Sequence, residues 1–109
     1  MTHPVTLDNL REMTGGDPSL EKELFEVYLS SSEECLKGLK LNNAPGKDEE
    51  WRTQAHAWKG MSLNLGAETL GKLCAEAQMN HLAPTEQKTA MLNAIEEEYA
   101  RVKDFLKNV

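Results

Sequence analysis

The chain has 109 residues, enough for one domain with a real core and too few for two. Apolar residues make up 39% and charged residues 28%, the balance of a globular chain rather than a disordered one. A formal net charge of −6 leaves no basic stripe for nucleic acid or an anionic membrane surface, and no apolar run approaches the roughly 20 residues that span a bilayer. The start, Met1-Thr2-His3-Pro4-Val5, has neither the basic region nor the apolar segment of a secretion signal. Cys35 and Cys74 stand apart in helical surroundings and read as reduced thiols. A single cytoplasmic domain over 1–109 is the expectation.

Punctuation along the chain predicts helices only. Thr6 can cap a short helix over 7–14, which Gly15-Gly16 ends. Asp17-Pro18, a cap followed by proline at the first helical position, opens a long helix to about residue 39. Its apolar set is Leu20, Leu24, Val27, Tyr28, Leu36 and Leu39. After the loop Asn42-Asn43-Ala44-Pro45-Gly46, Asp48 opens a third helix that runs to Leu65 and breaks at Gly66. A fourth, from Ala67 to Asn80, carries Leu70, Leu73, Cys74 and Ala77 on one side. Pro84 and Thr85 begin the last, with the stripe Met91, Leu92, Ile95, Tyr99, Val102 and Leu106. No segment alternates with the period of a strand. Four substantial amphipathic helices on short loops predict an all-α fold, an antiparallel up-and-down four-helix bundle with the short N-terminal helix across one end.

The third helix is the most informative. At about 100° per residue, Trp51, Ala55, Trp58, Ser62 and Leu65 fall within about 40° of one direction and define its core face. His56 then points about 140° away and Gly60 about 180° away, with Lys59 and Arg52 on the flank between His56 and the core. His56, Lys59 and Gly60, at i, i+3 and i+4, are surface neighbours. An imidazole, an ammonium group and a missing side chain together suit the approach of a phosphoryl group. Leu63 also faces outward and is a candidate for an apolar docking patch.

Gly60 breaks a local rule. Glycine inside a helix costs about 1 kcal/mol relative to alanine, and nothing on an exposed face needs a small residue for internal packing. Either the glycine is tolerated drift or something outside approaches the backbone closely there.

Other chemistry is weaker. His3 sits near a terminus and His81 near a helix end, where a cation suits the dipole. Glu49-Glu50 and Glu96-Glu97-Glu98 read as solvated helix faces, and the methionines as core or gap filling. His56, Cys74, Glu76 and His81 match no zinc or di-iron spacing, so no metal site is expected. Without a glycine-rich phosphate loop the chain has no autonomous kinase activity.

The run Ala55-His56-Ala57-Trp58-Lys59-Gly60-Met61-Ser62-Leu63-Asn64-Leu65-Gly66-Ala67, followed by Leu70, resembles the signature of histidine-containing phosphotransfer (HPt) domains. That signature has an Ala-His pair, an apolar residue, Lys-Gly, small residues, then Asn-x-Gly-Ala and a leucine. Met61, where a small residue is commoner, and the bulky Trp58 are the departures. The resemblance implies a phosphoryl carrier in a two-component phosphorelay. His56 would accept from a receiver-domain aspartate, including that of a hybrid sensor kinase, and pass the group to a response-regulator receiver. Lys59 would offset phosphoryl charge, and Gln78 stands where many members have a glutamine that orients the histidine or bonds a phosphoryl oxygen. Gly60, Arg52 and Leu63 would meet the partner. Magnesium would come from the receiver, so the chain needs no cofactor of its own and is expected to act as a monomer. Asn64 and Gly66 are expected to close the helix rather than touch phosphate. The alternative is a helical module that binds receiver-like partners without carrying phosphate.

Overall fold

A computed structural model of the chain describes residues 5–108, with all their side chains except those of Asn9 and Met13. The expectations placed on Met1 and His3 lie outside the described residues. Five helices make up the regular structure of the described residues: α1 (Asp8–Thr14), α2 (Pro18–Leu41), α3 (Asp48–Leu65), α4 (Glu68–Met79) and α5 (Thr85–Lys107). No strand occurs among the described residues. No described helix is long and apolar enough to cross a membrane.

Local chemistry accounts for most helix ends. Asp17 caps α2, its Oδ1 accepting from the backbone N–H groups of Ser19 at 2.9 Å and Leu20 at 3.5 Å, with Pro18 first in the helix. Thr6 does not cap α1. The cap position is Leu7, which makes no side-chain bond. Thr6 is drawn away by the turn between α3 and α4, where its N–H donates to the Gly66 carbonyl at 2.9 Å.

Gly66 is required by this contact. Its φ is +100°, and a Cβ there would collide with the Thr6 carbonyl oxygen. Gly66 N–H in turn donates to the Ser62 and Leu63 carbonyls at 3.1 and 3.2 Å, closing α3 as expected. We expect Gly66→Ala to cost about 3 kcal/mol, from left-handed strain of about 1–2 and the loss of the Thr6 seat. Chemical denaturation measures this, and a cost below about 1 kcal/mol would mean that the segment before α1 yields freely.

The four longer helices touch in a ring, α2 on α3, α3 on α4, α4 on α5 and α5 on α2, while α1 rests on α2 and α3. On α3 the buried residues are Trp51, Ala55, Trp58, Ser62 and Leu65, the face that the spacing predicts. The aromatic residues bury their rings and satisfy their polar ends. Trp58 Nε1 donates to Ser32 Oγ at 3.0 Å, and Trp51 Nε1 to the Ala77 carbonyl at 2.8 Å. The Tyr28 hydroxyl pairs with Ser62 Oγ at 2.9 Å. Trp58 meets Tyr99 edge-on, with ring centroids 5.3 Å apart. Cys35 and Cys74 are free and buried, and burial pushes the Cys74 thiol up to about 12.

Several expectations about burial need correction. On α2, Leu20 is 39% and Val27 64% exposed, whereas Phe25, Tyr28, Ser32, Cys35 and Leu39 face inward. The true face runs 3-4-3-4 through a serine, which a search for apolar residues passes over. Met79 fills no gap and is exposed. Glu98 is not a solvated residue but 6% exposed, standing three residues after Ile95 and four before Val102 on the inward stripe. Its Oε1 accepts from Arg101 at 3.0 Å, and its buried Oε2 has no hydrogen-bond partner. Lys88, unremarked in the sequence, is fully buried. Its ammonium pairs with Asp48 and lies 5.5 Å from the Trp51 ring centroid.

Candidate functional site

The burial of one face of α3 dictates what the opposite face presents. Because Trp51, Ala55 and Trp58 point inward, His56 points outward and is exposed, with Lys59 and Gly60 half-exposed beside it. The exposed imidazole makes no hydrogen bond or ion pair to another described residue, and neither does Lys59. An imidazole and an ammonium group, neither with a bonding partner among the described residues, therefore stand one turn apart on the outward face of α3.

Gly60 behaves unlike Gly66. A Cβ built on it meets nothing within 4 Å. Internal packing gives no reason for glycine here. Gly60→Ala is expected to raise stability by about 1 kcal/mol, the helix-propensity difference, while a large residue there would obstruct whatever docks over His56. Denaturation midpoints test the first half. A destabilised alanine variant would show that the fold itself uses the gap.

The other predicted residues are distributed around this centre. Arg52, one turn before His56, is exposed, and its Nε and Nη2 donate to Glu49 Oε2 at 3.3 and 3.1 Å. Leu63 is 43% exposed but does not stand free, since its side chain lies across Gly71 of α4. Gly71 is thus the notch that lets α3 and α4 approach. Gln78, on α4, is half-exposed, and no hydrogen bond joins its side chain to His56. Its backbone carbonyl lies 3.1 Å from His81 Nδ1, the helix-end position expected for that histidine. Asn64 is exposed and enters no hydrogen bond with a described side chain.

Two features escape the sequence. Glu49 is exposed but engaged, tying Arg52 on one side and lying 4.0 Å from His81 Nε2 on the other. Only the three-residue spacing to Arg52 could have signalled it. Between α2 and α3, Leu24, Val27, Tyr28, Met61 and Leu65, together with Leu10, Ser31 and Asn64, line a mainly apolar groove of about 210 Å³. Val27, exposed for a core valine, belongs to this groove, and helical spacing alone does not distinguish the two. Among the described residues no three His, Cys, Asp or Glu side chains converge as a metal site. Cys74 is buried while His56 is exposed, so those two do not share one.

Comparison with known proteins places this surface in context. A family model described as Hpt domain matches residues 23–105. The fold is similar to the crystal structure of histidine-containing phosphotransfer protein B (HptB) from Pseudomonas aeruginosa PAO1. The TM-score is 0.87 at 24% sequence identity, covering 99% of this chain and 95% of that one. A search of curated proteins gave no match.

Proposed function

The chain belongs to the Hpt domain family and its function is histidine phosphotransfer in a phosphorelay, and from that premise we propose that His56 is the residue that carries the phosphoryl group. The observation that carries this reading is the open presentation of His56 beside Lys59 and Gly60 on the outward face of α3. The receivers of response regulators and of a hybrid sensor kinase are its donors and acceptors.

The chemistry follows from these positions. A neutral imidazole offers a ring-nitrogen lone pair to the phosphorus of an aspartyl phosphate. The N–P bond forms as the P–O bond breaks, the aspartate leaves as a carboxylate, and the imidazole keeps its proton on the other nitrogen. The reverse sequence returns the group to a second aspartate. Lys59 opposes the charge on the equatorial oxygens during passage, and the bare backbone at Gly60 gives the partner's loops room to bring phosphorus in line. Gln78 bonds a phosphoryl oxygen or orients the ring once the partner is docked. The divalent cation of the transfer belongs to the receiver. The ring of contacts among α2, α3, α4 and α5, joined by short connections, supports an antiparallel up-and-down bundle with α1 across its end, which holds α3 rigid while partners exchange.

Transfer from a radiolabelled phospho-receiver tests the proposal. Label should appear on this chain in an acid-labile, base-stable form. Receivers that bind without transferring label would make the chain an interaction module instead. Lys59→Ala should slow transfer about tenfold, less than a buried oxyanion-hole donor would, without moving the denaturation midpoint. An unchanged rate would reduce Lys59 to a solvated charge.

A further inference from the structure

The side chains one turn below His56 form a linked set that the transfer reaction described above does not use. Arg52 stands four residues before His56, on the same side of α3. Its guanidinium is already occupied, because both Nε and Nη2 donate to a single oxygen, Glu49 Oε2. The other oxygen of that carboxylate, Oε1, lies 4.0 Å from His81 Nε2. His81 is itself anchored to the end of α4, where its Nδ1 stands 3.1 Å from the Gln78 carbonyl. A carbonyl only accepts, so Nδ1 carries the proton of that bond. Glu49 therefore stands between Arg52 of α3 and His81 just beyond the end of α4, with Arg52 the partner nearer to His56.

We propose that Glu49 holds Arg52 in an exchangeable ion pair and yields it to the phosphoryl group once His56 is phosphorylated. This rests on the assignment of His56 as the carrier. Both partners are largely open to water, with side-chain exposures of 45% for Arg52 and 71% for Glu49, so the pair is weak and easily replaced. A phosphoryl group on His56 brings about two negative charges and three acceptor oxygens within one helical turn. A guanidinium matches that fork of acceptors better than it matches one carboxylate oxygen. Glu49 keeps His81 as a neighbour when Arg52 leaves. No covalent bond changes in the exchange. Its effect is differential: Arg52 is masked while His56 is free and is recruited when His56 is charged. Glu49 thereby sets how strongly the phosphorylated state is favoured, and it acts as a positioning residue rather than a catalytic one.

Phosphoramidate provides the test without any receiver. The imidazole displaces ammonia, so at a fixed ratio of phosphoramidate to ammonia the phosphorylated-to-free ratio reads the equilibrium directly by intact mass. Glu49→Gln should raise that ratio about threefold, the size of an exposed ion pair. Glu50→Gln, which removes the same charge one residue along, should leave it unchanged. In an Arg52→Gln background the Glu49→Gln effect should vanish. In wild type the Arg52 Nε–H resonance should shift on phosphorylation, and in Glu49→Gln it should be shifted before phosphorylation begins. An Nε–H signal indifferent to phosphorylation would overturn the exchange, as would a Glu49→Gln effect that persists without Arg52. Absence of any adduct on wild type would overturn the assignment of His56, and this exchange with it.

Discussion

His56→Gln is expected to accept no phosphoryl group from any donor while unfolding at the same denaturant concentration as the native sequence. The two halves have separate causes. The amide nitrogen of glutamine has its lone pair delocalised into the carbonyl and cannot attack phosphorus, so the loss of acceptance is complete. The side chain is exposed and makes no bond to another described residue, so its replacement removes no packing. Glutamine is also a slightly better helix former than histidine, and surface changes of this kind stay within about 0.5 kcal/mol. Intact mass after incubation with donor reads the first half, and urea denaturation reads the second. An adduct that survives the substitution would move the carrier elsewhere. His81 would be the next residue to test, though its ring is partly covered and its Nδ1 already engaged.

Trp58→Ala is expected to have the largest effect on stability, about 3–5 kcal/mol. The indole is fully buried, packs edge-on against Tyr99, and gives its N–H to a Ser32 hydroxyl that is itself fully buried. Truncation removes the packing and leaves Ser32 Oγ without that donor, a second penalty of about 1–3 kcal/mol if no water enters. A domain with a total stability of about 5–15 kcal/mol has little margin for such a loss. Trp58→Phe separates the parts, since it keeps most of the ring and deletes only the N–H, and it should cost about half as much or less. Because His56 lies on the other side of α3, the phenylalanine variant should still accept phosphate at the normal rate. A cost below about 1 kcal/mol for the alanine variant would show that the core closes over the space.

The unequal legibility of the helices has a physical origin. On α3 the inward positions are bulky or small but never charged, and the outward ones are mostly polar, so spacing alone locates Trp51, Ala55, Trp58, Ser62 and Leu65 and hence the outward direction of His56. On α2 a buried serine stands at the centre of the inward face, because a hydroxyl is needed there as partner for an indole from α3. A reading by hydrophobicity therefore drifts toward Leu20 and Val27. Lys88 and Glu98 escape for a related reason: each is charged and inward, and the groups near it, Asp48 and Trp51 for one and Arg101 for the other, are identified only once the helices are packed. The site divides the same way. His56, Lys59 and Gly60 are close in sequence and can be read together. The bridge through Glu49 joins α3 to His81 beyond the end of α4, a contact that spacing within one helix does not contain.

Both tryptophans of the chain lie on α3, both are fully buried, and both belong to the face turned away from His56. Their emission should accordingly be that of indoles shielded from water, shifting to the red only when the bundle opens. On the function proposed above, charging of His56 and arrival of a partner over Gly60 would take place on the opposite side of the same helix, and the native fluorescence should pass through them almost unchanged. The molecule thus carries an intrinsic optical probe for unfolding that is nearly blind to signalling, so one sample can report the two independently.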